Sequence, residues 1–387
     1  MPVRTAARRR PKPSVRPSLA AALRSRLLLS LAIPALGLSC SPPPSELVVG
    51  FVASLSGPDY VLGTEGRDAA ELYVAELNER GGIGGRRVRL ETRDYASDNA
   101  ALPGALRELS AAGVRVAVGA YTSGAAQAAL PVLDELGLVL VSPSATAASL
   151  SGLRDRFFRT IMSSERDAVV LGGIIRAEGL APVLILSTEL NAAYAETYEL
   201  PLLEAGLAFE PIRFRNPVGI DFERIAELRR SAAPYKSVLI VASPLDTGTV
   251  GQALALRGLA APLFASGWAA SEDLIRGGGR AVEGLRFVHQ IDLEDTALEV
   301  FVARYAAVYG SAPGFSAIQT WDAMRFVEEG LKRAGKGGQD PYPVFSSLRE
   351  FSGEGGTIRL DEFGDATRSL YLKVVRDGRI AVLGKVE

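Results

Sequence analysis

Leu47-Val-Val-Gly-Phe-Val-Ala53 is an apolar run of strand length, and Gly66-Arg-Asp-Ala-Ala-Glu-Leu-Tyr-Val-Ala-Glu-Leu-Asn-Glu-Arg80 behind it carries apolar residues at helical spacing. Ala70, Leu72, Val74, Ala75 and Leu77 supply that spacing, so the segment reads as an amphipathic helix. Gly81-Gly82-Ile83-Gly84-Gly85 then ends it, because glycine accepts the left-handed conformation at a helix C-terminus. Arg87–Thr92 alternates as a strand, Leu102–Ala112 is helical, Val114–Gly119 is a strand, Thr122–Gly137 is helical and Leu138–Val141 is a strand. Strands alternating with helices of this length predict a parallel sheet covered on both faces.

Farther along, the same alternation begins again. Helices at Arg166–Glu178, Ala192–Ala205, Phe222–Ser231 and Thr247–Arg257 separate strands at Pro182–Ser187, Leu207–Phe214, Ser237–Ala242, Pro262–Ser266 and Leu285–Gln290. Helices at Leu298–Tyr309, Ser316–Ala334 and Val344–Phe351 follow, with closing strands at Thr357–Leu360 and Leu370–Val375 and a turn at Asp377-Gly378. Two successive open α/β units predict two lobes with a cleft between them. In such sheets ligands lie beyond the carboxyl ends of the strands.

Upstream, eight basic residues and no acid precede Cys40, which leaves 35 basic against 44 acidic residues, about −9, over 40–387. A body this acidic repels phosphate backbones, so nucleic acid is not an expected partner. The twelve residues Leu27–Leu38 (LLLSLAIPALGL) fit the apolar core of an export signal and are too short for a membrane span. The chain's one cysteine, Cys40, follows directly, and Ser41-Pro42-Pro43-Pro44 makes a stiff tether. Residues 1–39 read as signal peptide and 40–45 as a cysteine plus tether. A lone cysteine there resembles a bacterial lipobox, although Gly37 stands where leucine is usual, and that resemblance implies lipidation and a membrane anchor.

One cysteine excludes an internal disulfide and a zinc or iron–sulfur site built from cysteine. The one histidine, His289, sits in an apolar strand and reads as structural. No G-x-S-x-G elbow or phosphate-binding loop occurs, and no cofactor or catalytic residue is expected.

Several segments resemble one family, the type I periplasmic binding proteins of the branched-chain amino acid and amide transporters. They are Leu55-Ser-Gly-Pro58, Glu76–Gly85, Val118-Gly-Ala-Tyr-Thr-Ser123, Val141-Ser-Pro-Ser-Ala-Thr146, Ala265-Ser-Gly-Trp268 and Val282-Glu-Gly-Leu285. The resemblance implies an α/β fold of two Rossmann-like lobes, with mainly parallel sheets joined by a three-strand hinge. It places crossings near Phe158–Ile161, Val288–Ile291 and Gly355–Ile358. The N-terminal lobe is then 46–159 and 291–356, and the C-terminal lobe 160–290 and 357–387. It also implies an extracytoplasmic receptor that passes a small polar ligand to an ABC permease; a sensory protein of the same fold is the alternative, and an α/β enzyme a third.

By the same resemblance, Ser123, Ser144, Ala145 and Thr146 meet a ligand carboxylate, Tyr194 lies against the ligand, and Tyr121 is a further ligand-binding residue. The residues themselves leave other readings open. Ser123 at a helix start suits either an anion or an N-cap, and Ser144/Thr146 suit either a ligand or a turn. Tyr194 suits a pocket wall or a packed helix start. Asp246 suits a helix cap better than a cation contact. Trp268 stands where amino acid receptors of the family carry an acid for the ligand's ammonium. With Asp246 as the one nearby carboxylate, that replacement predicts that carboxylates lacking an α-amine bind at least as well as amino acids.

Overall fold

A computed structural model describes residues 46–292, 295–335, 339–354 and 356–386. The expected signal peptide, Cys40 and the tether lie outside the described residues. No helix among the described residues is long and apolar enough to cross a membrane.

The first half runs β1 (Leu47–Ala53), α1 (Tyr60–Glu79), β2 (Val88–Asp94), α2 (Leu102–Ala111), β3 (Val116–Gly119), α3 (Ser123–Leu136), β4 (Val139–Ser142) and β5 (Phe157–Arg159). These strands form one parallel sheet in the order β2-β1-β3-β4-β5. Val49 through Ala53 are buried, as expected of a strand covered on both faces. Helix α1 starts six residues before the expected Gly66. Gly63 and Gly66 lie inside it because a β-carbon there would strike Ser54 O and the Tyr121 ring, respectively. Glycine read from sequence as a boundary is here a close approach.

The second unit runs α4 (Glu165–Ala177), β6 (Val183–Thr188), α5 (Ala192–Glu204), β7 (Phe209–Phe214), α6 (Phe222–Arg230), β8 (Ser237–Val241), α7 (Pro244–Leu256), β9 (Leu263–Ala265), α8 (Glu272–Gly278) and β10 (Arg286–His289). The chain then returns through α9 (Glu299–Tyr309), α10 (Phe315–Ala334), α11 (Tyr342–Phe345), β11 (Glu350–Gly353), β12 (Gly356–Leu360) and β13 (Ala366–Thr367), and closes with β14 (Leu370–Arg376) and β15 (Arg379–Val386). The second sheet has the order β15-β14-β10-β9-β8-β6-β7, parallel from β10 to β7 and antiparallel at its β14–β15 end.

Helix α10 packs on α1, which places the returning segment on the first lobe. Strands β11–β13 form a small antiparallel sheet there. The expected helix over 344–351 stops at Phe345, and Phe351 instead packs on Phe326 (ring centroids 5.3 Å apart) from strand β11.

The chain passes between sheets at 160–164, at 290–292 and at 368–369. The last crossing corrects the expected position near 355–358. Strand β12 pairs with β11 and β13, Arg159 N donates to Gly364 O (3.2 Å), and the Arg159 guanidinium pairs with Asp365. Residues 357–367 therefore belong to the first lobe, and the second lobe resumes only with β14. The family resemblance implies a crossing at 355–358, and the pairing of β12 with β11 and β13 overrides it; strand patterning by itself does not say which sheet a strand joins.

Side chains tie the crossings together. Gln290 accepts from Met162 N and donates to Met162 O (both 2.7 Å), joining the first crossing to the second. Arg368 pairs with the fully buried Asp322 of α10 and donates to Thr160 O (3.3 Å), joining the third crossing to the first.

Candidate ligand-binding cleft

Between the sheets lies a cleft enclosing about 500 Å3 of space free of protein atoms, its mouth included. The first-lobe wall begins where β3 ends. Gly119 has φ +155° and so closely approaches Val52 O that a β-carbon would clash. Ala120 follows at φ +58°, a costly conformation for a residue with a β-carbon. This turn sends Tyr121–Ser123 across the carboxyl end of the sheet and starts α3 at the cleft.

Thr122, not Ser123, caps α3, accepting from Ala125 N (3.3 Å). Ser123 Oγ instead accepts from Thr146 N (3.2 Å) and Ala147 N (3.0 Å), holding the loop after β4 against the helix start. Ser144 Oγ donates to Tyr121 O (2.7 Å), and Tyr121 Oη is bonded to Thr320 Oγ1 (2.7 Å). Tyr121, Ser123, Ser144 and Thr146 all line the cleft. Ala145 does not: it is fully buried among apolar residues, and its N–H donates to Ser142 Oγ (3.1 Å).

The helix N–H groups are also less free than sequence suggested. Gly124 N donates to Asn191 Oδ1 of the second lobe (3.1 Å), so Asn191 already occupies part of the α3 terminus. Ala148 N likewise donates across to Thr197 Oγ1 (3.0 Å). The hydroxyls of Ser123 and Thr146 keep protons to offer an anion, which suits a carboxylate at the helix start.

The opposite wall is aromatic and acidic. Tyr194 and Tyr198 stand on one face of α5, their hydroxyls 3.1 Å apart. They receive the backbone N–H groups of Trp268 (3.4 Å) and Gly267 (3.2 Å), so they position the turn after β9. Trp268 meets Tyr194 edge to face (6.1 Å), and Phe315 of α10 meets His289 in the same manner (5.2 Å). His289 lines the cleft rather than a closed core; burial holds its pKa down at about 3, so the ring is neutral.

Asp246 does not line the cleft. It sits in the first turn of α7 with its N–H capped by Ser243 Oγ (3.3 Å); burial first, and then the charge of Asp246, raises the Asp59 carboxyl of the first lobe to about 6. Glu65, near Asp273, is pushed up to about 7, mainly by burial. The carboxyl that does line the cleft is Asp167 in the first turn of α4, 2% exposed, with Oδ1 lacking any hydrogen-bond partner. The expectation that Asp246 is the one nearby carboxylate is thereby corrected. Sequence reasoning passed over Asp167 because Ser-Ser-Glu-Arg-Asp is an ordinary polar helix start. Gln290 and Gln319 were missed likewise, being amides inside unremarkable segments.

Comparison with known proteins agrees with this architecture. The family model for periplasmic binding proteins matches residues 46–379. Leu/Ile/Val-binding protein homolog 1 of Brucella abortus is 25% identical over 330 residues, covering 83% of this chain and 88% of that protein. The isoleucine complex of the branched-chain amino acid transporter substrate-binding protein LivJ from Streptococcus pneumoniae superposes with a TM-score of 0.78 at 19% identity, covering 88% of this chain and 99% of that one. A Rhodopseudomonas palustris solute-binding protein in complex with benzoate gives 0.75 at 21% identity, covering 88% and 96%. With two Rossmann-like lobes, three crossings and a polar cleft between them, the chain belongs to the periplasmic binding protein family, in the type I group of the branched-chain amino acid transporters.

Proposed function

We propose that this chain is the extracytoplasmic receptor of an ABC importer, and that it captures a small carboxylate-bearing solute by closing its lobes about the three crossings. The observation that carries this reading is the pairing of two unlike walls. Ser123 and Thr146 offer hydroxyl protons beside a helix start on one lobe, and Tyr194 and Trp268 offer an aromatic surface on the other. A ligand with a carboxylate at one end and an apolar body satisfies both. The Brucella relative is a Leu/Ile/Val-binding protein homolog and the Rhodopseudomonas neighbour holds benzoate, so both aliphatic and aromatic acids belong in the test.

Native mass spectrometry of freshly purified protein, followed by calorimetry with amino acids and aromatic acids, tests the reading. A bound acid of cleft size supports it; no acid bound, and unchanged solute uptake in a deletion strain, would sink it. We assign residues 1–39 to an export signal and Cys40 to lipidation, with the body held outside the cytoplasmic membrane. Cys40→Ala is expected to move the protein from the membrane to the soluble fraction with unchanged ligand affinity, read by fractionation and intact mass.

A further inference from the structure

Among the polar groups lining the cleft, Asp167 and Gln319 bear oxygens that are buried and have no hydrogen-bond partner. Both oxygens are acceptors. A buried acceptor without a donor costs free energy, more so when it belongs to a carboxyl. Such groups in a ligand cleft mark what the ligand must bring. Gly267 brings the turn after β9 close to this carboxyl. A β-carbon there would lie 2.8 Å from Val288 O, 3.4 Å from His289 Cδ2 and 3.6 Å from Asp167 Oδ2, so glycine lets the turn pack against β10 beside Asp167 and His289, both of which line the cleft.

We propose that Asp167 is a specificity-determining residue of this cleft, its unpaired carboxyl oxygen receiving a positively charged N–H group of the ligand, an ammonium or an amidinium. This rests on the receptor reading above. Among the described residues Asp167 makes no ion pair. Tyr194 and Tyr198 face it from α5, both held above the ordinary tyrosine value mainly by burial, and therefore neutral. Ser164 offers a hydroxyl from the start of α4. From β10 comes His289, neutral, with the charges of Lys373 and Arg368 acting on its ring. Among the described residues no ion pair compensates a carboxylate at 167, so the ligand is left to do so.

Proton coupling follows from that geometry. Burial pushes the Asp167 pKa up to about 8, against which the Ser164 and Tyr198 hydrogen bonds act only partly. At neutral pH the empty cleft holds the neutral carboxyl. A cationic ligand requires the carboxylate, so its binding releases the Asp167 proton to solvent. Affinity for such a ligand should rise about tenfold per pH unit up to about pH 8, then level off.

The test uses paired probes on the purified mature protein: leucine against 4-methylpentanoate, phenylalanine against 3-phenylpropanoate, and 4-(aminomethyl)benzoate against benzoate. Calorimetry at pH 6, 7 and 8, in buffers of different ionisation enthalpy, counts protons. The amine-bearing members are expected to bind more tightly, to release close to one proton at pH 7, and to follow the tenfold slope. Asp167→Asn should weaken them about 100-fold or more and flatten the slope, while leaving the deaminated acids within a few-fold; a thermal melt verifies that the variant is folded. Equal or tighter binding of the deaminated acids, with no proton released, overturns the Asp167 inference and leaves the receptor reading standing. Binding by neither member of any pair overturns both.

Discussion

The strand-end loops of the two lobes meet the cleft in opposite states. On the first lobe, Ser123 Oγ receives two backbone N–H groups, Ser144 Oγ is spent on Tyr121 O, and Asn191 fills the Gly124 N–H. On the second lobe, Asp167 Oδ1 lines the cleft, buried and without a partner. The strand-end loops of the first wall are held mainly by bonds within the protein, with Gln319 Oε1 of α10 the exception on that lobe among the cleft-lining groups described. The second leaves the Asp167 carboxyl for a ligand to satisfy, by the inference above. A satisfied wall fixes where a ligand sits, and an unsatisfied one selects which ligand is accepted.

The contrast can be broken most completely away from either wall. Arg368→Ala strips the partner from the buried Asp322 carboxylate and frees the third crossing from Thr160, so both walls should lose their mutual register. A stability loss of about 3–5 kcal/mol is expected by chemical denaturation, with ligand affinity lost as well. Next in size, Ser123→Ala leaves the N–H groups of Thr146 and Ala147 without their acceptor. About 2–4 kcal/mol of stability should go, together with weakened carboxylate binding. Full affinity in a destabilised Ser123→Ala variant would mean that the first wall only holds the loop and contacts no ligand.

A third experiment sharpens the second-wall side. The folded-state pKa of Asp167, about 8, lies above its ordinary value of 3.8. The stability contributed by this carboxyl is therefore full below about pH 4 and is lost as pH rises through 8. Asp59 at about 6 and Glu65 at about 7 act in the same direction. The empty protein should accordingly melt lower at pH 8 than at pH 5. Asp167→Asn should recover part of that decline, raising stability at pH 8 by up to a few kcal/mol and changing little near pH 4. A variant no more stable than wild type at pH 8 would show that the carboxyl carries no such penalty. The smallest effect is expected at Thr122→Ala, which removes the α3 cap. It should cost about 1 kcal/mol in a thermal melt; because Thr122 also lines the cleft, calorimetry beside the melt separates capping from any share in recognition.

Hydrophobic periodicity by itself determined the α/β class, the two successive units and most elements, because burial on both faces of a parallel sheet writes continuous apolar runs such as Val183–Leu186. It also placed Ser123, Ser144 and Thr146 in loops just after strands, while their part in a binding wall came from the family resemblance and not from periodicity. Tertiary structure alone decided three things. It decided which sheet β12 joins, because pairing partners leave no trace in a single strand's pattern. It decided that Ser123 ties a loop while Thr122 caps the helix, because both residue types serve either purpose and only the backbone turn at Gly119-Ala120 aims them. And it decided that Asp167 lines the cleft with an unpartnered oxygen while Asp246 stands outside it, in the first turn of a helix that Ser243 caps. A carboxylate's partners come from elements far apart in the chain, and burial, not residue type, sets its charge.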